Sequence, residues 1–133
     1  MSNNVEQNKS SGIVDKLLNY YMAQKNFEQE VGDYLRSQTS SPKLYSNDLR
    51  HQYASAITAQ QLGPGIAKFL GDFNEFTDLN QSGNEDTEID KYNNRIGREY
   101  ALKYPNYTKQ QYLDAFFNNR QAIKNQRLKE LGY

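Results

Sequence analysis

The residues best suited to chemistry are the chain's single histidine, His51, and two carboxylates, Glu75 and Asp90. A histidine oriented by a carboxylate is the usual general base near neutral pH, because its ordinary pKa of about 6.5 lies in that range. Hydrolysis is the reaction that such a set would serve. The chain has no cysteine, and no serine stands in a nucleophile-elbow context, so the attacking group would be water or Ser55.

Other polar residues are expected to surround His51. Asp90, Asn94 and Arg98 recur at helical spacing, so they should share one helix face. Arginine and asparagine donors can stabilise a developing oxyanion. The polar companions predicted for His51, Glu75 and Asp90 are Arg50, Ser55, Asn93, Asn94 and Arg98. The alternative is that the same side chains lock helices together and satisfy buried polar groups, and the sequence leaves both interpretations open.

A third interpretation concerns residues 78–90, which resemble a calcium loop between two helices. Oxygen-bearing residues alternate there and Gly83 stands at the sixth position, where such a loop turns sharply. The candidate ligands are Asp78, Asn80, Ser82, Asn84 and Asp86. The twelfth position, which should carry a bidentate glutamate, is Ile89 instead. An acidic solvated turn explains the same residues, so the first expectation is no cofactor, with calcium as the alternative.

Hydrophobic periodicity predicts the helices that position these residues. The predicted helices cover residues 12–36, 46–62 with Ser46 or Asn47 as the cap, 64 onwards, 89–104, and a last one that runs to about 131 from a Thr108/Gln111 capping box. In the second helix, Asp48 is a favourable charge in the first turn, and the expected apolar stripe is Leu49, Tyr53, Ala56 and Ile57. In the third helix, one apolar face is expected to hold Ile66, Phe69, Leu70, Phe73 and Phe76. No segment alternates long enough to predict a strand. The expected fold class is all-α, a single compact bundle of about five helices with no substantial sheet.

Composition limits the function classes. The chain has 133 residues, with 16 basic and 16 acidic side chains. This balance gives no electrostatic attraction to nucleic acid, so nucleic-acid binding is not expected. No apolar run approaches the roughly 20 residues of a membrane helix, and the N-terminus does not resemble an export signal. Residues 1–11 are predicted to be a flexible or partner-ordered arm, and residues 12–133 a single helical domain.

Three short motifs resemble a known pattern. They are Arg50-His51-Gln-Tyr-Ala-Ser-Ala, Gly71-Asp-Phe-Asn-Glu75, and Asp90-Lys-Tyr-Asn-Asn-Arg-Ile-Gly-Arg98. Together they resemble a small helical domain of unknown function found in bacterial, phage and some eukaryotic sequences. The resemblance covers about residues 48–101 and implies an arrangement of side chains rather than an activity. Asn74 stands where many relatives carry a second histidine, and this Asn-Glu form is most similar to phage-encoded versions.

These observations favour a small phage-type accessory or virion-associated protein that acts through contacts with other protein chains, such as a phage assembly. Eleven tyrosines support this expectation, since tyrosine is favoured at interfaces. The expected location is the virion or the host cytoplasm. The alternative is a small hydrolase that uses His51 with Glu75 or Asp90 as general acid and base. A second alternative is the calcium-binding helix-loop-helix at 78–90.

Overall fold

A computed structural model describes residues 12, 15, 26–78 and 84–133 of the protein, without the side chains of 72–78 and 84–86. The described residues form six α-helices and one short 3-10 helix, and contain no strand. The α-helices are α1 (26–38), α2 (Ser46–Leu62), α3 (Pro64–Asp78), α4 (Asn84–Lys103), α5 (Lys109–Asn118) and α6 (Arg120–Leu131), and the 3-10 helix is Pro42–Leu44. The predicted all-α bundle is confirmed.

Two predicted helix limits and one predicted cap were wrong, while the predicted limits of α2, 46–62, are confirmed. Helix α4 begins at Asn84 rather than near residue 89. The single last helix is in fact two, because the Asn119 side chain donates to the Ala115 carbonyl and its backbone N–H also turns back into α5. Asparagine competes with helix backbone in this way. Neither Ser46 nor Asn47 caps α2, whose N-cap residue is Tyr45 and has no capping side-chain hydrogen bond.

Helix α2 lies at the centre of the bundle and packs most extensively against α4. Its predicted apolar stripe is confirmed as core, with Leu49, Tyr53, Ala56 and Ile57 all buried. Burying these side chains provides the main stabilisation, at roughly 25 cal/mol for each Å² of apolar surface removed from water. The face of α2 beside this stripe meets α4 and carries the polar residues.

The α2 and α4 backbones approach closely at Gly97. A Cβ atom added there would lie 2.2 Å from the Gln52 carbonyl oxygen and 2.8 Å from the Ser55 Cβ. No side chain fits in this space, so glycine sets the helix separation. Because the backbones are so close, the polar side chains on either side of Gly97 can reach across the interface.

Helix α1 is attached to the bundle by tyrosine hydroxyls. The Tyr34 hydroxyl donates to Asp114 of α5 at 2.6 Å, and the Tyr53 hydroxyl of α2 donates to Glu30. Burial, followed by these carboxylate contacts, raises the pKa of both tyrosines. Each amphipathic ring therefore contributes to the core while its hydroxyl keeps a hydrogen-bond partner.

The expected apolar face of α3 was wrong in part. Ala67 and Leu70 are buried, but Ile66 is 44% exposed and Phe69 is 69% exposed. The side of α3 turned towards α4 includes Gly71, whose added Cβ would lie 3.2 Å from the Asn94 amide nitrogen. Apolar residues occur on more than one side of α3, so periodicity did not decide which side faces inwards.

Candidate functional site between α2 and α4

His51 lies between two residues of α4 that are one helical turn apart. Its Nδ1 is 3.1 Å from the Asn94 Oδ1, and its Nε2 is 3.3 Å from the Asp90 Oδ1. The side chains of His51 and Asp90 are only 16% and 15% exposed. The helical spacing of Asp90 and Asn94 thus brings both onto the same imidazole ring, which is the grouping expected from the sequence.

The surroundings of His51 lower its pKa below the ordinary value. Burial is the largest cause, and the positive charge of Arg50 acts in the same direction. The Asp90 carboxylate, the Asn94 hydrogen bond and the more distant Asp48 oppose this change by favouring the charged ring. Because burial outweighs these effects, the ring is mainly neutral at pH 7.

The protonation of His51 is linked to the orientation of the Asn94 amide. The Asn94 Oδ1 also accepts a hydrogen bond from the Ser55 hydroxyl at 3.1 Å. With the amide in this orientation, only an imidazolium can donate both to Asn94 and to Asp90. If the amide turns over, its NH2 group donates to Nδ1 and a neutral ring still donates from Nε2 to Asp90.

A second polar group lies beside the first and reaches a third helix. The Gln52 amide of α2 donates to the Asn93 Oδ1 at 2.9 Å, and the Asn93 amide donates to the Asp48 Oδ1 at 2.9 Å. Asn93 is completely buried. Arg127 of α6 donates to the other Asp48 oxygen at 3.4 Å and to the Tyr133 main-chain oxygen at 3.1 Å. These contacts connect α2, α4 and α6.

The remaining predicted members take different positions. Arg50 donates to the Asn47 side chain at 3.2 Å, and Asn47 donates to the Asp90 Oδ1 at 3.0 Å, so both stand at the rim. Arg98 lies one turn beyond Asn94 on α4 and is half-buried. The Glu75 backbone belongs to α3, but its side chain lies outside the described residues. A His51–Glu75 pair therefore stays a prediction.

The calcium loop also stays a prediction. Residues 79–83 and the side chains of Asp78, Asn84 and Asp86 lie outside the described part of the chain. Among the side chains that the structure does describe, no group of three or more histidine, aspartate or glutamate residues could hold a metal ion.

Sequence reasoning missed four residues of the site: Asn47, Asp48, Gln52 and Arg127. Asp48 was expected only as a favourable charge in the first turn of α2. Gln52 follows it at i+4 and Ser55 at i+7, a polar line that could have identified the buried face. Arg127 follows the buried Ile123 at i+4, which placed a charge on the inner side of α6.

The described geometry limits what chemistry the site can perform. His51 and Asp90 form a dyad of the kind that orients a general base. Ser55 is not a nucleophile activated by this ring, since its hydroxyl donates to Asn94 and is itself buried. His51 does not line either the cavity of about 420 Å³ or the cavity of about 170 Å³ that described residues form.

Fold and site together define an all-α bundle with a mostly buried polar cluster between its two most closely packed helices. None of the described helices is both long and apolar enough to cross a membrane. Comparisons with models of known protein families, with curated proteins and with solved structures found no match to this chain.

Proposed function

We propose that this protein is a small phage-type accessory or virion-associated protein that acts by binding other protein chains, and that its polar cluster is structural. The observation that carries the proposal is the exposure of large apolar side chains on α3 and α4. Phe69 is 69% exposed on α3 and Leu102 is 64% exposed on α4. Grouped exposed apolar side chains mark contact surfaces more often than isolated ones do.

These side chains lie near a shallow apolar hollow. Leu102 and Pro64 line a cavity of about 170 Å³ with Pro105. Ile66 follows Pro64 on α3 and lies one turn before Phe69, so Ile66 and Phe69 share an exposed face. We call Ile66, Phe69 and Leu102 the apolar end. The phage setting and the location in the virion or host cytoplasm are supported by the sequence resemblance alone.

The polar cluster supports a structural role. Its buried members pair with one another, as in the chain from Gln52 through Asn93 to Asp48. Buried polar groups that are fully hydrogen-bonded fix how helices fit together. A structural role is therefore enough to explain why these polar side chains are buried together.

Photocrosslinking in the cells that naturally make the protein tests the proposed function. A photoreactive phenylalanine analogue in place of Phe69 should give one discrete adduct with another protein chain. The same analogue at the exposed Gln61 of α2 is the matched control and should give none. Leu102→Ser should weaken the adduct without unfolding the protein, because the side chain is already in water. Equal adducts from both positions, or none at Phe69, would contradict the proposal.

The second candidate is a small hydrolase, and the His51–Asp90 contact favours it. A mainly neutral histidine beside a carboxylate has the protonation state of a general base. If this candidate is correct, the protein should hydrolyse an activated ester such as p-nitrophenyl acetate, and Asp90→Asn should reduce the rate at least about 100-fold while the fold is kept. Hydrolysis no faster than with the Asp90→Asn variant would exclude it for ester substrates.

A further inference from the structure

A cleft of about 420 Å³ lies between the N-terminal end of α2 and the helices α5 and α6, and the polar-cluster residues Asn47, Asp48, Gln52 and Arg127 line one side of it. Neither His51 nor any residue of the apolar end lines it. Leu44, which is exposed, and Tyr45 and Ile89, which are half-buried, supply the apolar surface that a ligand could contact, above the buried Leu49, Phe116 and Ile123. This volume lies within the range of pockets that accept a ligand of moderate size.

One wall of the cleft is basic. Arg120, Lys124 and Arg127 follow one another along α6 at i, i+4 and i+7 and all line the cleft. Among the described lining residues, Asp48 is the only carboxylate, and its oxygens already accept hydrogen bonds from Asn93 and Arg127. The lining therefore carries excess positive charge.

The three cationic side chains differ in the contacts that they already make within the protein. Arg127 is occupied by Asp48 and by the Tyr133 main-chain oxygen. The Arg120 guanidinium stacks 4.0 Å from the Phe117 ring centroid and donates one hydrogen bond to the Phe117 carbonyl at 2.8 Å, which holds it at the cleft and engages one of its five N–H groups. Lys124 is exposed and has no ion-pair partner within the described residues. Lys124 and Arg120 are thus the cations available to a ligand.

The end of α2 adds to this positive field. Its N-cap residue, Tyr45, lines the cleft and makes no capping side-chain hydrogen bond, so the first backbone N–H groups of the helix have no side-chain acceptor there. Helix N-termini carry partial positive charge, which reinforces the basic wall.

We propose that this cleft binds an extended acidic segment of a partner protein in which acidic and apolar residues alternate. Side chains at i and i+4 of a helix are about 6 Å apart. Alternate side chains of an extended segment are about 6.6 Å apart and point to the same side. Two carboxylates can therefore meet Arg120 and Lys124 together, while the intervening apolar side chain faces Leu44. A single compact anion could lie between the two cations, but it would leave the apolar surface of the cleft uncovered.

The proposal rests on the proposed function in one respect, which is that the partner is a protein chain. It uses a different surface from the apolar end. Either surface can therefore fail its test while the other passes.

The direct test is fluorescence anisotropy with a labelled peptide of alternating glutamate and leucine, Glu-Leu-Glu-Leu-Glu, at about 0.15 M salt, where charges away from the contact are largely screened. The full-length protein should bind it, and Lys124→Glu should raise the Kd about tenfold, the effect of losing one well-placed charge contact and adding a repulsive one. Lys129→Glu is the matched control, since Lys129 is also exposed on α6 but does not line the cleft. It should change the Kd less than about twofold, as expected for a charge away from the contact.

A second variant tests the apolar half of the contact. Leu44 is 73% exposed and lines the cleft, so Leu44→Ser leaves the core intact. It should raise the Kd about threefold through lost apolar burial. Amide NMR shifts on adding the peptide should centre on Leu44, Gln121 and Lys124.

Four outcomes would overturn the proposal. They are no binding at millimolar protein, equal weakening by Lys124→Glu and Lys129→Glu, equal binding of a Gln-Leu-Gln-Leu-Gln peptide, and equal binding of free glutarate with the same dependence on Lys124. The last would mean a site for small anions. Phe69→Ser should leave the peptide affinity unchanged, so a failure of the apolar end in crosslinking is distinguishable from a failure of the cleft.

Discussion

At the scale of single residues, the site depends on side chains that reach across a very short helix separation. His51 contacts Asp90 and Asn94, while its neighbour Gln52 contacts Asn93. Consecutive residues of α2 thus use separate sets of partners on α4. Both residues therefore add polar contacts to the same helix interface.

Gly97→Ala should destabilise the protein by about 2 kcal/mol or more, because the added methyl group would collide with the Gln52 carbonyl and the helices would have to move apart. Urea unfolding followed by circular dichroism measures the change.

Gly65→Ala is the matched control for this substitution. No atom lies within 4 Å of a Cβ added at Gly65, and alanine has a higher helix propensity than glycine. The free energy of unfolding should therefore stay equal or rise by up to about 1 kcal/mol. A Gly97→Ala variant as stable as the original protein would show that the helices are not held at this distance.

The folded protein should lose stability as the pH falls from 7.5 to 5.5. Burial lowers the pKa of His51 in the folded state below the ordinary 6.5 of the unfolded chain. The unfolded state therefore binds more protons than the folded state in this window. The free energy of unfolding falls as the pH falls through 6.5 towards the pKa of the folded state. The slope from one such group is at most about 1.4 kcal/mol per pH unit.

His51→Gln identifies the source of this slope, since it removes the titrating ring and keeps a hydrogen-bonding side chain. Urea unfolding at several pH values compares the two proteins. An unchanged slope in the variant would assign the effect to other groups. Because the chain has one histidine, the ring resonances also give its pKa directly by NMR.

At the scale of helices, a helix end was predictable where a side chain makes a hydrogen bond with the nearby backbone. The Thr108/Gln111 capping box was expected and is present, with the Gln111 N–H donating to the Thr108 hydroxyl at 3.1 Å and the Thr108 N–H donating to the Gln111 side chain at 2.8 Å. The break at Asn119 was missed, because hydrophobic residues continue at helical spacing on both sides of it.

Thr108→Ala should cost about 1 kcal/mol of unfolding free energy, since the helix α5 loses the acceptor for one of its first N–H groups. Thr108→Ser keeps the hydroxyl and should restore most of this loss. Thermal melting monitored by circular dichroism compares the three proteins. Equal melting of the alanine and serine variants would show that the hydroxyl does not stabilise the helix.

At the scale of the whole molecule, the sequence was sufficient for the fold class and for the buried stripe of α2, because both follow from periodicity. It also indicated that Asp90 and Asn94 would share a face. It could not show that Gln52, Asp48 and Arg127 complete the cluster, since these contacts depend on how α6 lies against α2 and α4. Nor could it orient α3, whose apolar face is so broad that Ala67 and Leu70 are buried while Ile66 and Phe69 are exposed. The side chains of Phe73 and Phe76, which were expected on the same face, lie outside the described residues.

We propose that the His51 cluster holds α2 and α4 together. The most direct measurement is the unfolding free energy of His51→Ala at pH 7.5, with Gln61→Ala as the exposed control on the same helix. We expect a loss of about 1–3 kcal/mol for His51→Ala, because Asp90 and Asn94 lose a buried partner, and a change within about 0.5 kcal/mol for the control. A His51→Ala protein as stable as the control would contradict the structural role and favour a catalytic one.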